Sequence, residues 1–192
     1  MSPALNHLPL VEPGSQAEWR AWLEAHGTTS PGIWLAVGKK GNTRTTLTYE
    51  QAVEEALCFG WIDSTVKRVD EHRFKQLFTP RKRGSTWSRS NKTRVEKLIA
   101  EGRMTPAGLA PIEAAKADGS WNSLDDVENL VVPDDLAAAL ASNADAACGF
   151  GALSPSQRKM ALYWISSAKR PETRSRRIAK TVDSAKNGRL PF

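Results

Sequence analysis

WIDSTVKRVDEHRFKQLFTP, residues 61–80, predicts a β-hairpin. Residues 61–69 and 72–79 are rich in β-branched and aromatic side chains, which favour strands, and the polar Asp-Glu-His sequence between the two runs suits a turn. We expect these two strands to pair antiparallel. The apolar run at residues 33–38 has strand length, and we expect it to join the same sheet.

Helix signals lie on both sides of this hairpin. Ser15 and Thr48 each begin a capping-box pattern, and apolar residues then recur at helical spacing. Thr105 followed by Pro106 is an N-cap with proline in the first turn. Similar signals continue to the end of the chain, so we predict four or more helices after residue 88, the last from about residue 172 to 186.

This order of elements predicts an α+β protein. We expect a small antiparallel β-sheet with flanking helices in the N-terminal part and a helical C-terminal part. The predicted domains are residues 15–130, which include a basic loop at residues 80–92, and residues 131–190. The acidic, broken segment at residues 118–135 is a candidate connection between them.

The sequence shows no pattern typical of a membrane or exported protein. The chain has 192 residues and seven tryptophans, and it contains no apolar run of the ~20 residues that a membrane-spanning helix needs. Its first fifteen residues read as a lead-in without the basic start and apolar run of a signal peptide. We therefore expect a cytoplasmic protein without membrane insertion.

Metal and cofactor signatures are missing from the sequence. The three histidines are scattered, and Cys58 and Cys148 stand far apart, so no pair has the spacing of metal ligands. The chain also lacks a P-loop and a Gly-x-Ser-x-Gly nucleophile motif. We predict no metal and no cofactor, and we interpret Cys58, which lies near the C-terminus of a predicted helix, as a core residue.

Charge alternates in blocks along the chain. Residues 67–103 hold twelve Lys or Arg and four Asp or Glu, residues 104–153 hold one and eight, and residues 154–192 hold ten and two. Either the acidic block neutralises a basic neighbour inside the fold, or the basic blocks face a separate anionic partner.

The basic charge is densest in FTPRKRGSTWSRSNKTR, residues 78–94, which contains six Lys or Arg and no acid. Serines, threonines and an asparagine fill the gaps, and a helix is expected to begin at Ser88 or Ser90. Hydroxyl groups and free N–H groups at a helix start, next to cations, are suited to an oxyanion or phosphate. The alternative is a solvated surface loop.

Trp87 in this loop and Asp63 in the predicted hairpin have two interpretations each. Trp87 is either a stacking platform between Arg83 and Arg89, as in single-stranded nucleic-acid grooves, or a buried anchor for the loop. Asp63 is either a catalytic acid or base, or a carboxylate in a turn or an ion pair.

The same stretches resemble a known family. EALCFGWIDSTVKRVDEHRFKQLFTPRKRGSTWSRSN (residues 55–91) and RVEKLIAEGRMTPAGLAPIEAAKADGSW (residues 94–121) closely resemble the YdeI/OmpD-associated family of bacteria, also called bacteriocin-protection proteins. LSPSQRKMALYWISSAKRPETRSRRIAKTV (residues 153–182) looks like the helical end of that family. The resemblance covers about residues 15–190.

This resemblance implies a small bacterial cytoplasmic protein with an α+β N-terminal part and a helical C-terminal part. It also implies a role in bacteriocin protection or envelope stress. It brings no established active site, so the roles of single residues follow from their chemistry alone.

Three functional hypotheses remain open. The first is a non-catalytic protein that binds an anionic small molecule or a nucleic acid. The second is a small hydrolase or transferase that uses Asp63 in the same pocket, although no nucleophile–base pair identifies a catalytic centre. The third is an interaction or nucleic-acid-binding module that uses the basic last helix. For the first hypothesis, the predicted ligand-binding residues are Trp61, Asp63, Lys67, Arg68, Arg81, Trp87, Ser88, Arg89 and Asn91.

Overall fold

A computed structural model describes residues 7–39 and 45–192 of the chain. The chain forms two compact units, one that ends at Trp121 and one that runs from Asn122 to Phe192. Residues 1–6 of the predicted lead-in lie outside the described residues. The first unit contains β1 (Leu10–Val11), α1 (Gln16–His26), β2 (Ile33–Gly38), α2 (Tyr49–Cys58), β3 (Trp61–Arg68), β4 (Arg73–Pro80), α3 (Arg89–Ala100) and α4 (Pro106–Asp118).

The predicted hairpin is present as β3 and β4, and the α+β fold class is confirmed. The sheet has the order β1-β2-β4-β3, so β2 pairs antiparallel with β4 in the centre of the sheet. The two-residue strand β1 was not predicted, and it pairs parallel with β2. It lies in the expected lead-in, where two residues are too few for a strand pattern to show.

Local caps define the helices as the sequence predicts. The Ser15 and Thr48 side chains accept hydrogen bonds from the backbone N–H groups at the starts of α1 and α2, and Thr105 does the same for α4. Helices α1 and α2 pack on one face of the sheet, where Trp19, Leu23 and Phe78 are fully buried in the core. Burial of such side chains typically contributes about 1.5–3 kcal/mol each.

Residues 52–58 of helix α2 are all buried, and they include two acids. The Glu55 side chain, 3% exposed, pairs with Arg20 at 2.9 Å and with Arg103 at 2.7 Å, and it also accepts a hydrogen bond from Gln16. Glu54 pairs with Lys97 and Arg103. The ion pairs connect α2 to α1, α3 and the segment that follows α3. Part of the basic block at residues 67–103 is therefore neutralised inside the fold.

The second unit is entirely helical in its regular elements: α5 (Asp125–Glu128), α6 (Asp134–Ala141), α7 (Ala144–Ala152), α8 (Pro155–Ser166) and α9 (Pro171–Ala185). Its core includes Leu136, Phe150, Leu162 and Ile165. The long basic helix α9 buries only Ile178, Thr181 and Ala185, as expected for a narrow apolar stripe.

Within the described residues, no helix combines the length and the apolar character that a bilayer crossing requires.

Candidate functional site: the Arg81 cavity

The basic loop connects β4 to α3 through a short turn. The Arg81 N–H donates to the Gly60 carbonyl at 2.9 Å, so the hairpin pairing extends one residue beyond Pro80. Ser85 N–H then bonds the Lys82 carbonyl, and Gly84 adopts a φ of +74°, a left-handed conformation that favours glycine. The loop therefore folds back over its own start before α3 begins.

Arg81 and Trp87 meet at the centre of this loop. The guanidinium carbon of Arg81 lies 3.5 Å from the centre of the Trp87 ring, and its Nη1 donates to the Thr86 carbonyl at 3.2 Å. Trp87 is 2% exposed and also packs against Trp121, with 4.9 Å between ring centres. Trp87 is thus a buried anchor, and the cation on its face is Arg81 and not Arg83 or Arg89.

The Arg81 guanidinium is partly desolvated, and no acid among residues 7–39 and 45–192 forms an ion pair with it. Its Nε and Nη2 atoms are closed to solvent and have no hydrogen-bond partner among the described residues. Burial lowers the pKa of Arg81 to about 10, an effect that the negative charge of Asp63 partly opposes. That pKa is still well above neutral pH, so Arg81 remains a cation. A cation that is partly buried without a paired anion is unfavourable in a folded protein.

A cavity of about 260 Å³ lies beside Arg81. One wall is the basic loop, and the other is the apolar side of α4. Helix α4 comes close because Gly108 has no side chain: a Cβ there would lie 2.2 Å from the Cys58 carbonyl oxygen. The cavity is lined by Arg81, Lys82, Arg83, Gly84, Ser85, Trp87, Ala107, Ala110, Pro111, Ala114 and Ala115.

The rim of this cavity is exposed and cationic. Lys82 and Arg83 are exposed, and the Arg83 side chain keeps 86% of its surface in solvent. The Arg83 Nε lies 3.9 Å from Asp118, an acid of the block at residues 104–153 that was a candidate to neutralise a basic neighbour. At that distance and exposure the pair contributes little, so it does not neutralise the rim.

Three more of the predicted ligand-binding residues lie at the N-terminus of α3. The Ser88 hydroxyl caps α3 by accepting from the Asn91 N–H, and the Asn91 side chain accepts from Arg94 at 3.0 Å. Arg89 is exposed in the first turn. Ser88, Arg89 and Asn91 are outside the set that lines the cavity.

The predicted residues on β3 point in different directions. Trp61 is 1% exposed, and its ring N–H donates to the Gly27 carbonyl, so it is a core residue. Lys67 lies over the ring of Trp34 on the opposite face of the sheet from Asp63. Arg68 is exposed at the end of the strand.

A β-bulge explains the position of Lys67. Asp63 pairs with Phe78 and Val66 pairs with Gln76, so β3 has one more residue than β4 in this interval. Strict alternation would place Asp63 and Lys67 on one face, but the extra residue moves Lys67 to the other face. The sequence contained no signal for this bulge.

Asp63 lies in a different cavity from Arg81. Its Oδ2 accepts hydrogen bonds from the Tyr49 hydroxyl at 2.7 Å and from the Gln76 amide at 3.1 Å. Burial and the bond to Asp63 raise the pKa of Tyr49 to about 12, so the phenol remains a donor. Tyr49 and Gln76 were not predicted as site residues, although a glutamine between Phe74 and Phe78 on the inward face of the strand was a usable signal.

Thiol and metal chemistry receive no support from the described residues. Cys58 is fully buried, and burial together with the charge of Glu55 raises the pKa of its thiol to about 11, which opposes formation of the nucleophilic thiolate. No group of three His, Cys, Asp or Glu side chains in the described ranges could hold a metal ion.

Comparisons with known proteins identify two families in this chain. The model of the family "Domain of unknown function (DUF8412)" matches residues 11–111, slightly more than half of the chain. The model of the family "Bacteriocin-protection, YdeI or OmpD-Associated" matches residues 129–188. No curated protein and no solved structure matches the chain.

The two family models match different parts of the stretch that resembles the YdeI/OmpD-associated family. The resemblance to the YdeI/OmpD-associated family is confirmed by the C-terminal segment, which contains α6 to α9. The central motif, residues 55–91, lies in the segment that matches the other model, which also contains the Arg81 loop. The chain therefore belongs to the family of the domain of unknown function DUF8412 and carries a YdeI/OmpD-associated, bacteriocin-protection domain at residues 129–188.

Proposed function

We propose that this protein binds a small anionic ligand in the Arg81 cavity and that it acts without catalysis. The observation that carries the proposal is the Arg81 guanidinium, whose Nε and Nη2 are buried without a partner in the described part of the chain. Removal of one member of a buried ion pair typically costs about 3–5 kcal/mol, because the remaining charge is left uncompensated. A bound anion would supply the missing member here.

The chemistry of the cavity favours a particular ligand class. A guanidinium presents a planar fork that matches a carboxylate or phosphate group, and the Arg81 Nη1 is already used by the Thr86 carbonyl. Ala110 and Pro111 contribute an apolar wall. A volume of about 260 Å³ is slightly below the usual range for drug-sized ligands. The ligand is therefore a small phosphate or carboxylate with at most a short apolar body.

Binding requires a small movement of the loop. The two unpaired nitrogens are closed to solvent, so an anion reaches them only when the exposed residues 82–84 shift outward or the Arg81 side chain turns into the cavity. These loop residues are exposed and include Gly84, and a Cβ at this glycine would meet no described atom within 4 Å. The movement therefore disturbs little packing.

The proposal predicts that anions stabilise the protein. Inorganic phosphate and phenyl phosphate, at constant ionic strength set with chloride, should raise the melting temperature in a saturable manner. A ligand at ten times its Kd contributes about 1.4 kcal/mol, which raises the melting temperature by a few degrees. Differential scanning fluorimetry or calorimetry measures this shift.

Arg81→Met is the decisive variant. It keeps the aliphatic length over the Trp87 ring and removes the charge, so it should abolish the phosphate response. The stability of the unliganded protein should stay within about 1 kcal/mol or rise, because a desolvated charge is lost. Arg176→Met, which removes an exposed arginine in the second unit, is the charge-matched control and should keep the response. Arg89→Met tests whether the start of α3 takes part.

Two results would contradict the proposal. One is a wild-type protein that shows no anion-specific shift up to tens of millimolar phosphate. The other is an Arg81→Met variant that keeps the full response.

Nucleic-acid binding by α9 is a second candidate function. Arg176 and Lys180 are exposed one turn apart on this helix, which favours contact with phosphates. Three other basic side chains on or next to α9 already have partners within the second unit. Arg174 pairs with Asp135, Arg177 donates to the Trp164 carbonyl, and Lys186 pairs with Asp183.

This second candidate predicts weak, salt-dependent binding. Filter binding should detect affinity for DNA or RNA at low salt, and log affinity should fall with log salt at about −0.9 per duplex phosphate contacted. The double variant Arg176→Gln, Lys180→Gln should reduce this slope, whereas Lys82→Gln, Arg83→Gln should not. Absence of binding at low salt would exclude this function for α9.

The wider physiological role is part of the same proposal. The description of the YdeI/OmpD-associated family suggests a link to bacteriocin protection, and we propose that the ligand acts there as a signal in the cytoplasm. The hydrolase or transferase hypothesis required Asp63 in the same cavity as the basic loop. Asp63 is outside the lining of that cavity, so we retain binding and not catalysis as the proposal.

A further inference from the structure

A second cavity, of about 410 Å³, opens on the hairpin and shares no lining residue with the Arg81 cavity. It lies next to β3, an edge strand of the sheet. Its lining consists of Tyr49, Asp63, Ser64, Val66, Phe74 and Gln76. This set contains an acid and several hydrogen-bonding groups but no lysine, arginine or histidine.

Gln76 has an acceptor that no described residue satisfies. Gln76 is 2% exposed. Its side-chain Nε2 donates to the Asp63 carboxylate at 3.1 Å and to the Ser64 carbonyl at 3.0 Å. Both partners are oxygens that accept, so the amide orientation is determined by them. The Gln76 Oε1 is therefore left buried without a donor within the described residues.

Asp63 is held as an acceptor as well. The Tyr49 hydroxyl and the Gln76 amide both donate to its Oδ2, which orients the carboxylate. The nearest cations act on it only through space: Arg94 forms a two-bond ion pair with Glu50, and Arg81 belongs to the other cavity. A ligand that matches Asp63 and Gln76 must donate hydrogen bonds.

The remaining walls are apolar and aromatic. Phe74 is half-buried, Tyr49 contributes a second aromatic ring to the lining, and Val66 is 58% exposed. Aromatic faces attract cations, and a carboxylate beside them strengthens this preference. The chemistry is thus the opposite of that in the Arg81 cavity.

We infer that the Tyr49–Asp63–Gln76 cavity binds an organic cation, a guanidinium or primary ammonium group on a short apolar stem. The cation donates to the Asp63 carboxylate, and its stem packs on Phe74 and Val66. The Gln76 Oε1 is closed to solvent, so the cation donates to it only when the exposed residues 64–66 of β3 shift outward. This inference does not depend on anion binding at Arg81, because the two cavities have separate linings.

Nuclear magnetic resonance titration tests the inference on the full chain. Butylguanidinium and butylammonium chloride should cause saturable amide shifts at Ser64, Val66 and Gln76, whereas 1-butanol should not. Asp63→Asn, which keeps the shape of the side chain, should weaken binding roughly tenfold or more, because a charge-assisted hydrogen bond is lost. No saturable shift up to tens of millimolar cation, or equal binding by Asp63→Asn, would overturn the inference.

A second variant keeps the test decisive if Asp63→Asn fails to fold. Val66→Lys places an ammonium group at the exposed mouth and should block added cations, while Val69→Lys, at an exposed site outside the lining, should not. Equal binding by both lysine variants would also overturn the inference. N-acetyl-arginine methylamide distinguishes the source of the cation: tighter binding than butylguanidinium assigns the site to a protein side chain, and equal or weaker binding assigns it to a free small molecule.

Discussion

Gly149→Ala is expected to destabilise the second unit by about 3 kcal/mol, whereas Gly151→Ala, two residues later in the same helix, should leave it unchanged or more stable. A Cβ at Gly149 would lie 1.8 Å from the Ala185 carbonyl oxygen, where α7 packs against α9. Backbone atoms cannot rotate away as a side chain can, so the two helices must separate.

Gly151 is the matched control for this effect. No atom in the described part of the chain lies within 4 Å of a Cβ at Gly151, so alanine meets no obstacle there. Alanine is also favoured over glycine in a helix by about 1 kcal/mol. Urea unfolding followed by circular dichroism measures both variants, because all regular elements of the second unit are helices. Equal stability of the two variants would show that α7 and α9 do not approach this closely.

The second large effect is expected for Glu55→Ala, which should cost about 3 kcal/mol of unfolding free energy. The Glu55 side chain is 3% exposed and lies between Arg20 and Arg103. Its loss removes the most buried anion from two partly buried guanidinium groups, which keep only the ion pairs with Glu24, Glu54 and Glu101. These arginines retain 33% and 26% side-chain exposure, so the cost lies at the lower end of the range for buried pairs.

Glu101→Ala provides the control, because Glu101 bonds the same Arg103 at 3.0 Å from an exposed position. An exposed ion pair contributes about 0–1 kcal/mol, so this variant should remain close to wild type. Chemical denaturation followed by tryptophan fluorescence compares the two, since six of the seven tryptophans lie in the first unit. If Glu101→Ala cost as much as Glu55→Ala, burial would not be the reason for the effect.

The candidate site could be predicted only in part. The sequence placed Arg81 and Trp87 among the predicted ligand-binding residues of one basic loop, where they lie six residues apart around a turn-forming glycine. It could not show that Arg81, and not Arg83 or Arg89, covers the Trp87 ring. That choice depends on the Arg81 N–H bond to Gly60, which fixes where the arginine leaves the strand.

The residues of α4 that form the opposite wall of the cavity could not be predicted from the sequence. Ala110, Pro111 and Ala114 carry no functional chemistry, so no motif marks them. They line the site because α4 packs against the end of α2, where Gly108 allows contact between the two backbones.

By itself the sequence determined the local elements of this protein: the hairpin, the capped helices and the order of the α+β and helical parts. These depend on residues a few positions apart, whose propensities and caps act within a single element. Only the tertiary structure decided which charges are neutralised and which stay unpaired. Glu55 meets Arg103 across 48 positions, and one extra residue in β3 separates Lys67 from Asp63. Pairing of distant charges and strand register depend on how whole elements pack, and local patterns do not specify that packing.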